Sequence, residues 1–245
     1  MRLTRVHVDA PLAPGRQVEL PEHAGGHLAR VLRLREGDGC VLFNGDGHDY
    51  DARITGIGKR GVGVEVIGAR RVDNESPLSI TLLQGIARGE KMDLILQKAT
   101  ELGVSGFVPV HSDRSEVKLE GARAAKRLTH WRGVVASACE QSGRAVLPAV
   151  GEPAPLLQVV ADAGLPGDRY YLSPLATVGI GTMTAPINRR ILIAVGPEGG
   201  WSARDLQALD GAGFIGIRLG PRILRTETAG LAAIASLQAR LGDLG

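Results

Sequence analysis

Two apolar strands, each running into a glycine-proline turn that opens a helix, constrain this chain more than any other feature. Ile191-Leu192-Ile193-Ala194-Val195 leads into Gly196-Pro197-Glu198-Gly199-Gly200-Trp201-Ser202. Ile215-Gly216-Ile217-Arg218-Leu219 leads into Gly220-Pro221-Arg222-Ile223-Leu224-Arg225-Thr226-Glu227-Thr228-Ala229. A purely apolar strand such as 191–195 suits a parallel sheet buried on both faces, and strand-helix alternation indicates the same α/β class. Glycines let backbone groups approach a ligand, and the helix N-terminus that follows adds a favourable dipole. In open α/β sheets, turns at the carboxyl ends of strands are where ligands bind. Taken alone, the first turn is equally an ordinary tight βα connection. Neither turn contains Gly-x-Gly-x-x-Gly or a P-loop Gly-Lys-Ser/Thr, which argues against a dinucleotide dehydrogenase or a P-loop NTPase.

The alternation extends upstream. Strands are expected at Leu78 to Leu83, Gly106 to Val110 and Arg169 to Leu172, and helices at Lys91 to Leu102, Gly121 to Ser142 and Pro155 to Ala163. Ser202 is placed to cap a helix over Ser202 to Ala212, and Thr226 or Thr228 to cap a final helix over Thr226 to Leu241. Residues 1–72 have a different texture, with short strands separated by glycine turns and a short helix over His23 to Leu34. Asn44-Gly45-Asp46-Gly47 is a strong hairpin signal, because both dipeptides tolerate positive φ. A small β-barrel closes so many short strands. The polar stretch Arg70 to Pro77 is the expected linker, giving domains at 1–72 and 73–245.

Composition sets outer bounds. A net charge of +3 is mild, so a nucleic-acid reading must rest on where the arginines lie, and 3% aromatic residues argue against an RNA surface built on stacked aromatic platforms. No apolar run reaches the roughly 18 residues of a membrane span, and no apolar signal core follows Met1 to Arg5, so a cytoplasmic chain is expected. Cys40 and Cys139 lack disulfide or metal spacing, and no histidine pair has metal-ligand spacing, so no metal is expected.

The paired motifs GPEGGWS at 196–202 and LGPRILRTETA at 219–229 resemble the signature of the SPOUT methyltransferases. Within them the chain is most similar to the bacterial 16S rRNA (uracil-N3)-methyltransferase family. EKMDLILQKATELGV at 90–104, ACEQSGR at 138–144 and HLARVLRLREGD at 27–38 carry the similarity across nearly the whole chain. The resemblance implies a C-terminal SPOUT α/β domain with a deep trefoil knot, an N-terminal PUA-like β-barrel that grips RNA, and a homodimer. It implies S-adenosylmethionine as cofactor and, as substrate, a specific uridine of 16S rRNA in the assembled 30S subunit.

By motif match, the cofactor is expected against Leu172, Gly196, Pro197, Glu198, Gly199, Gly200, Leu219, Gly220, Ile223, Leu224 and Thr226. Uracil N3 carries a proton that must leave, so a cation or general base is required. Arg225 is the candidate for stabilising the uracil anion, with Arg222 second; Glu198 either accepts a proton, orients an arginine, or merely stabilises its helix N-terminus. RNA contact is expected from Arg2, Arg5, His27, Arg30 and Arg33, the last three recurring at helical spacing. Arg114, Lys118, Arg123, Lys126, Arg127 and Arg132 form a second basic stretch, and Gln141 and Arg144 are further candidates for RNA or partner contact. Two alternatives stand beside this reading: another SPOUT RNA methyltransferase, acting on ribose 2′-oxygen or a different base, and a non-catalytic RNA-binding assembly factor.

Overall fold

The computed structural model describes residues 3–58, 61–162, 164–165 and 167–245, apart from the side chains at positions 23 and 27. Arg2 and the side chain of His27 lie outside the described residues. The chain forms two compact units, residues 1–75 with 136–147, and residues 76–135 with 148–245.

The first unit holds β1 (Arg5–His7), β2 (Gln17–Glu19), β3 (Gly39–Phe43), β4 (His48–Gly58) and β5 (Gly61–Arg71), in the order β1-β3-β4-β5-β2. Among the described residues of this unit, only the β1–β3 pairing is parallel. Val62, Val64 and Val66 of β5 all face the core, the period-two signature of a half-buried strand. Two register shifts in the β4–β5 ladder supply the bulges that bend a sheet. The hairpin at 44–47 forms as expected, with Gly45 and Gly47 at φ of 92° and 89°.

The helix expected over 23–34 is shorter and irregular. It comprises α1 (Glu22–Gly26) and a π-helical turn at His27–Val31. Leu28 is buried there, whereas Val31 and Leu32 are exposed. Arg33 lies beyond the last turn with a φ of 56°, so it does not continue the helix edge occupied by Arg30. Both arginines are exposed.

Arg5 requires a correction. Its side chain is 5% exposed, and its guanidinium meets Asp49 at 2.6 Å, donates to the Cys139 carbonyl at 2.8 Å and lies over the Phe43 ring. A buried guanidinium with these partners cannot reach RNA phosphates, so Arg5 serves the interior of this unit. Arg144 is likewise buried, and its Nε donates to Glu75 at 3.0 Å. Arg5, through the Cys139 and Arg144 carbonyls, and the His7 N–H, through Glu140, tie residues 136–147 to β1.

The second unit is built on a parallel sheet. Its strands are β6 (Ser79–Gly85), β7 (Val104–His111), β8 (Ala149–Val150), β9 (Ala154–Pro155), β10 (Asp168–Leu172), β11 (Val178–Gly179), β12 (Arg190–Val195) and β13 (Ile215–Arg218). The order is β11-β13-β10-β12-β6-β7-β8, with β9 paired to β7. Its helices are α2 (Glu90–Glu101), α3 (Gly121–Ser142, shared between the units), α4 (Leu156–Val160), α5 (Ala203–Gly211) and α6 (Thr226–Leu241). Alternate residues of β12 feed opposite faces. Ile191, Ile193 and Val195 pack with Met92, Ile95 and Leu96 of α2 and Ile234 and Leu237 of α6. Leu192 and Ala194 pack with Leu156, Leu209 and Phe214 on the other side. This two-sided burial is why the strand is apolar throughout. Among the described residues, no helix is long and apolar enough to cross a membrane.

Candidate active site

Because β13, β10 and β12 are parallel neighbours, their carboxyl ends emerge together, and a cavity of about 640 Å³ opens there. That size falls within the roughly 300–1,000 Å³ usual for small-molecule sites. Of the expected cofactor positions, Leu172 comes from the end of β10. Gly196, Pro197, Glu198 and Gly200 come from the turn after β12; Leu219, Gly220, Ile223, Leu224 and Thr226 follow β13; all ten line the cavity. Arg222 and Arg225 line it too. Gly199 does not, because its carbonyl accepts from Arg114 Nη1 at 3.1 Å and a Cβ there would lie 2.9 Å from Arg114 Cβ.

The glycine turn is held from three directions. Ser202 caps α5 as expected, in a reciprocal box with Asp205, which is fully buried and also accepts from the Asp113 N–H. From β6, a Cβ on Gly85 would lie 2.5 Å from the Pro197 nitrogen, so only glycine permits that approach. From α6, the Thr226 hydroxyl donates to the Gly196 carbonyl at 2.6 Å and accepts from Gln84 Nε2 at 3.0 Å. Thr226 therefore does not cap α6. The cap position is Arg225, without a side-chain bond, and the hydroxyl closes the loop instead.

The charged groups concentrate at one wall. Lys91 of α2 stands 3.3 Å from Glu198 Oε1, which also accepts from the Arg88 N–H at 3.1 Å. Burial pushes the Glu198 carboxyl up, but the N–H groups of Arg88 and Glu198 itself, together with Lys91, outweigh it and hold the group below the ordinary carboxylate value. Arg222 and Arg225 are exposed and make no ion pair among the described residues. Sequence alone does not mark Gln84, Lys91 or Arg114 as cofactor-site residues. Lys91 reads as one more polar residue on an amphipathic helix, and Gln84 as the end of a strand. Only the positions of β6 and α2 against the turns give them roles.

The residues fit a cofactor with an apolar heteroaromatic part and a charged part. Gly200 and Gly220 have φ of 66° and 115°, and the space where their side chains would stand is open. Leu172, Val195, Ile217, Leu219 and Leu224 give apolar walls, with carboxylate and ammonium at the rim.

The fold and the cavity are those of an RNA methyltransferase. Residues 74–238 match the RNA methyltransferase domain and residues 20–67 the RNA methyltransferase PUA domain. The ribosomal RNA small subunit methyltransferase E of Buchnera aphidicola subsp. Schizaphis graminum is 32% identical over 99% of this chain and 98% of its own length. The enzyme of that name from Neisseria gonorrhoeae, solved with bound S-adenosylmethionine, is 40% identical with a TM-score of 0.90 and covers 100% of both chains. A Legionella pneumophila methyltransferase solved with its cofactor bound is 36% identical with a TM-score of 0.94, covering 99% of this chain and 100% of its own. The chain belongs to the ribosomal RNA small subunit methyltransferase E family.

Proposed function

We propose that this protein transfers a methyl group from S-adenosylmethionine to N3 of a specific uridine of 16S rRNA, within the assembled 30S subunit. The observation that carries this is the convergence of two glycine-proline turns and the end of β10 on one cavity. The relatives solved with S-adenosylmethionine support the choice of cofactor.

When bound, the cofactor supplies an electrophilic methyl on a sulfonium. The chain's own residues bind and orient it. Leu172, Leu219, Ile223 and Leu224 would hold its apolar part and the backbone of Gly196, Pro197, Gly200 and Gly220 its polar groups, with Thr226 fixing the first turn. Methyl transfer is an in-line displacement, so orientation and electrostatics supply most of the protein's contribution. Arg225, with Arg222 beside it, stabilises negative charge developing on the uracil. Glu198 orients the rim through Lys91 and the Arg88 N–H, both of which bond to its Oε1.

The trefoil knot, the homodimer and a cytoplasmic location belong to the same proposal. Leu175 and Ile223 line the cavity yet are 89% and 85% exposed, which supports a partner protomer covering its mouth. Arg30 and Arg33 in the first unit and Arg123, Lys126 and Arg127 on the exposed face of α3 are the expected contacts to RNA phosphates. Nucleoside mass spectrometry of rRNA from a strain lacking the protein tests the substrate. Loss of 3-methyluridine is expected; loss of a 2′-O-methyl mark, or no loss, contradicts it.

A further inference from the structure

The loop after β7 carries an arginine to the cavity and fixes it there. Its turn closes on itself, the Ser115 N–H donating to the Ser112 carbonyl at 3.0 Å and the Ser112 N–H to Ser115 Oγ at 2.9 Å. Asp113 accepts from the Ser202 hydroxyl at 2.8 Å, and Glu116 meets Arg88 at 2.7 Å. Arg114 lies between these anchors. It packs so closely on Gly199 that a Cβ there would stand 3.1 Å from the Arg114 carbonyl oxygen. Its Nη1 donates to the Gly199 carbonyl at 3.1 Å, yet Arg114 is exposed and lines the cavity.

The charge of this guanidinium is uncompensated. Arg88, Lys91 and Arg204, which flank the same turn, face the carboxylates of Glu116, Glu198 and Asp113 respectively. Arg114 makes no ion pair among the described residues. In the sheet, β7 and β13 lie on opposite sides of β12, so Arg114 reaches the cavity from the side away from Arg222 and Arg225. S-adenosylmethionine carries a sulfonium, an ammonium and a single carboxylate. It is a net cation, and three unpaired arginines exceed what it needs. RNA is a polyanion. A base taken into a cavity for chemistry brings its own phosphodiester to the mouth. A guanidinium matches two phosphate oxygens with parallel N–H donors.

We propose that Arg114 binds the phosphodiester beside the target nucleotide and holds the RNA backbone at the mouth of the cavity, opposite Arg222 and Arg225. This deepens the reading above and rests on RNA as the substrate, whichever atom of the base is methylated. The bond to Gly199 occupies one N–H and leaves the others for phosphate oxygens. With the loop anchored on both sides of Arg114, little freedom is left to lose when the phosphate binds.

The test compares full-length R114Q and R114K with the parent. Affinity for purified small ribosomal subunits is measured across a salt series, and cofactor affinity by calorimetry. R114Q should raise the subunit Kd about tenfold, the scale of a lost hydrogen bond to a charged group. Its slope of log K against log salt should flatten by roughly 0.7–0.9, the loss of one neutralised phosphate. R114K keeps the charge without the fork, so its Kd should rise while its slope stays the parent's. Cofactor Kd should stay within roughly two-fold in both variants, because the phosphate belongs to the RNA. A parent-like subunit Kd or slope for R114Q, or a flattened slope for R114K, overturns the assignment. So does a weakened cofactor Kd or a lost cooperative melt in R114Q, either of which gives Arg114 to the glycine turn or to the cofactor carboxylate. The parent's product is identified separately. A product other than 3-methyluridine overturns the uracil-N3 reading and leaves the phosphate contact standing.

Discussion

The Thr226 hydroxyl donates to the Gly196 carbonyl at 2.6 Å, joining the first turn of the last helix to the glycine turn thirty residues earlier. Gln84 Nε2 donates to the same hydroxyl, so the rotor has a fixed sense. Thr226→Val keeps the shape and removes both bonds. It should cost about 1–2 kcal/mol in urea unfolding, the penalty of leaving buried groups unpaired. Cofactor affinity measured by calorimetry should fall with it. Unchanged affinity would show that the cavity does not depend on this link.

Gly85→Ala tests the approach of β6 to the turn. The added Cβ would meet the Pro197 nitrogen at 2.5 Å, and backbone cannot swing aside as a side chain does. A loss of about 1–3 kcal/mol is expected, typical of overpacking. The cofactor Kd should rise as the turn is displaced, and a calorimetric titration checks it.

Arginines that read alike in sequence should separate in experiment. Arg5→Ala leaves Asp49 buried with only Arg70, at 2.6 Å, so stability should drop by about 3 kcal/mol, the low end for breaking a buried pair. The variant's RNA affinity, measured where it is folded, should keep the parent's salt slope. Neutralising Arg30 and Arg33 should do the reverse. Stability stays near the parent's, and the slope of log K against log salt flattens by roughly 0.7–0.9 for each phosphate no longer neutralised. Equal slopes in all three proteins would remove Arg30 and Arg33 from the RNA-binding surface.

Glu198 gives a pH signature. Its carboxyl is held below the ordinary value in the folded chain, so its stabilising contribution is complete above the unfolded value and disappears as pH falls through the folded one. The melting-temperature gap between the parent and E198Q should therefore be widest near neutrality and close in acid. A gap constant through the acid range would contradict the hydrogen bonding assigned to this carboxylate.

The second unit is largely legible in the sequence, because β12 needs apolar residues on both faces and each glycine turn announces a strand end. The Ser202 cap is legible for the same local reason. Adjacency is not. Nothing in the sequence places β10 between β12 and β13, or β6 beside Pro197, yet those pairings bring Leu172, Gln84 and Lys91 to the site. The arginines of the N-terminal unit mislead because charge is written in the sequence and burial is not. Arg5 alternates into the core with Asp49 as its counter-ion, and the turn at His27–Val31 widens to a π-helical form before Arg33 leaves the helix.

Methyl transfer from labelled cofactor to purified small ribosomal subunits, followed by mapping of the modified nucleoside, tests the central claim most directly. The label should appear as 3-methyluridine at a single position of 16S rRNA, and should fall with Arg225→Ala. Label on a ribose oxygen, on a different base, or absent from intact subunits would contradict the claim.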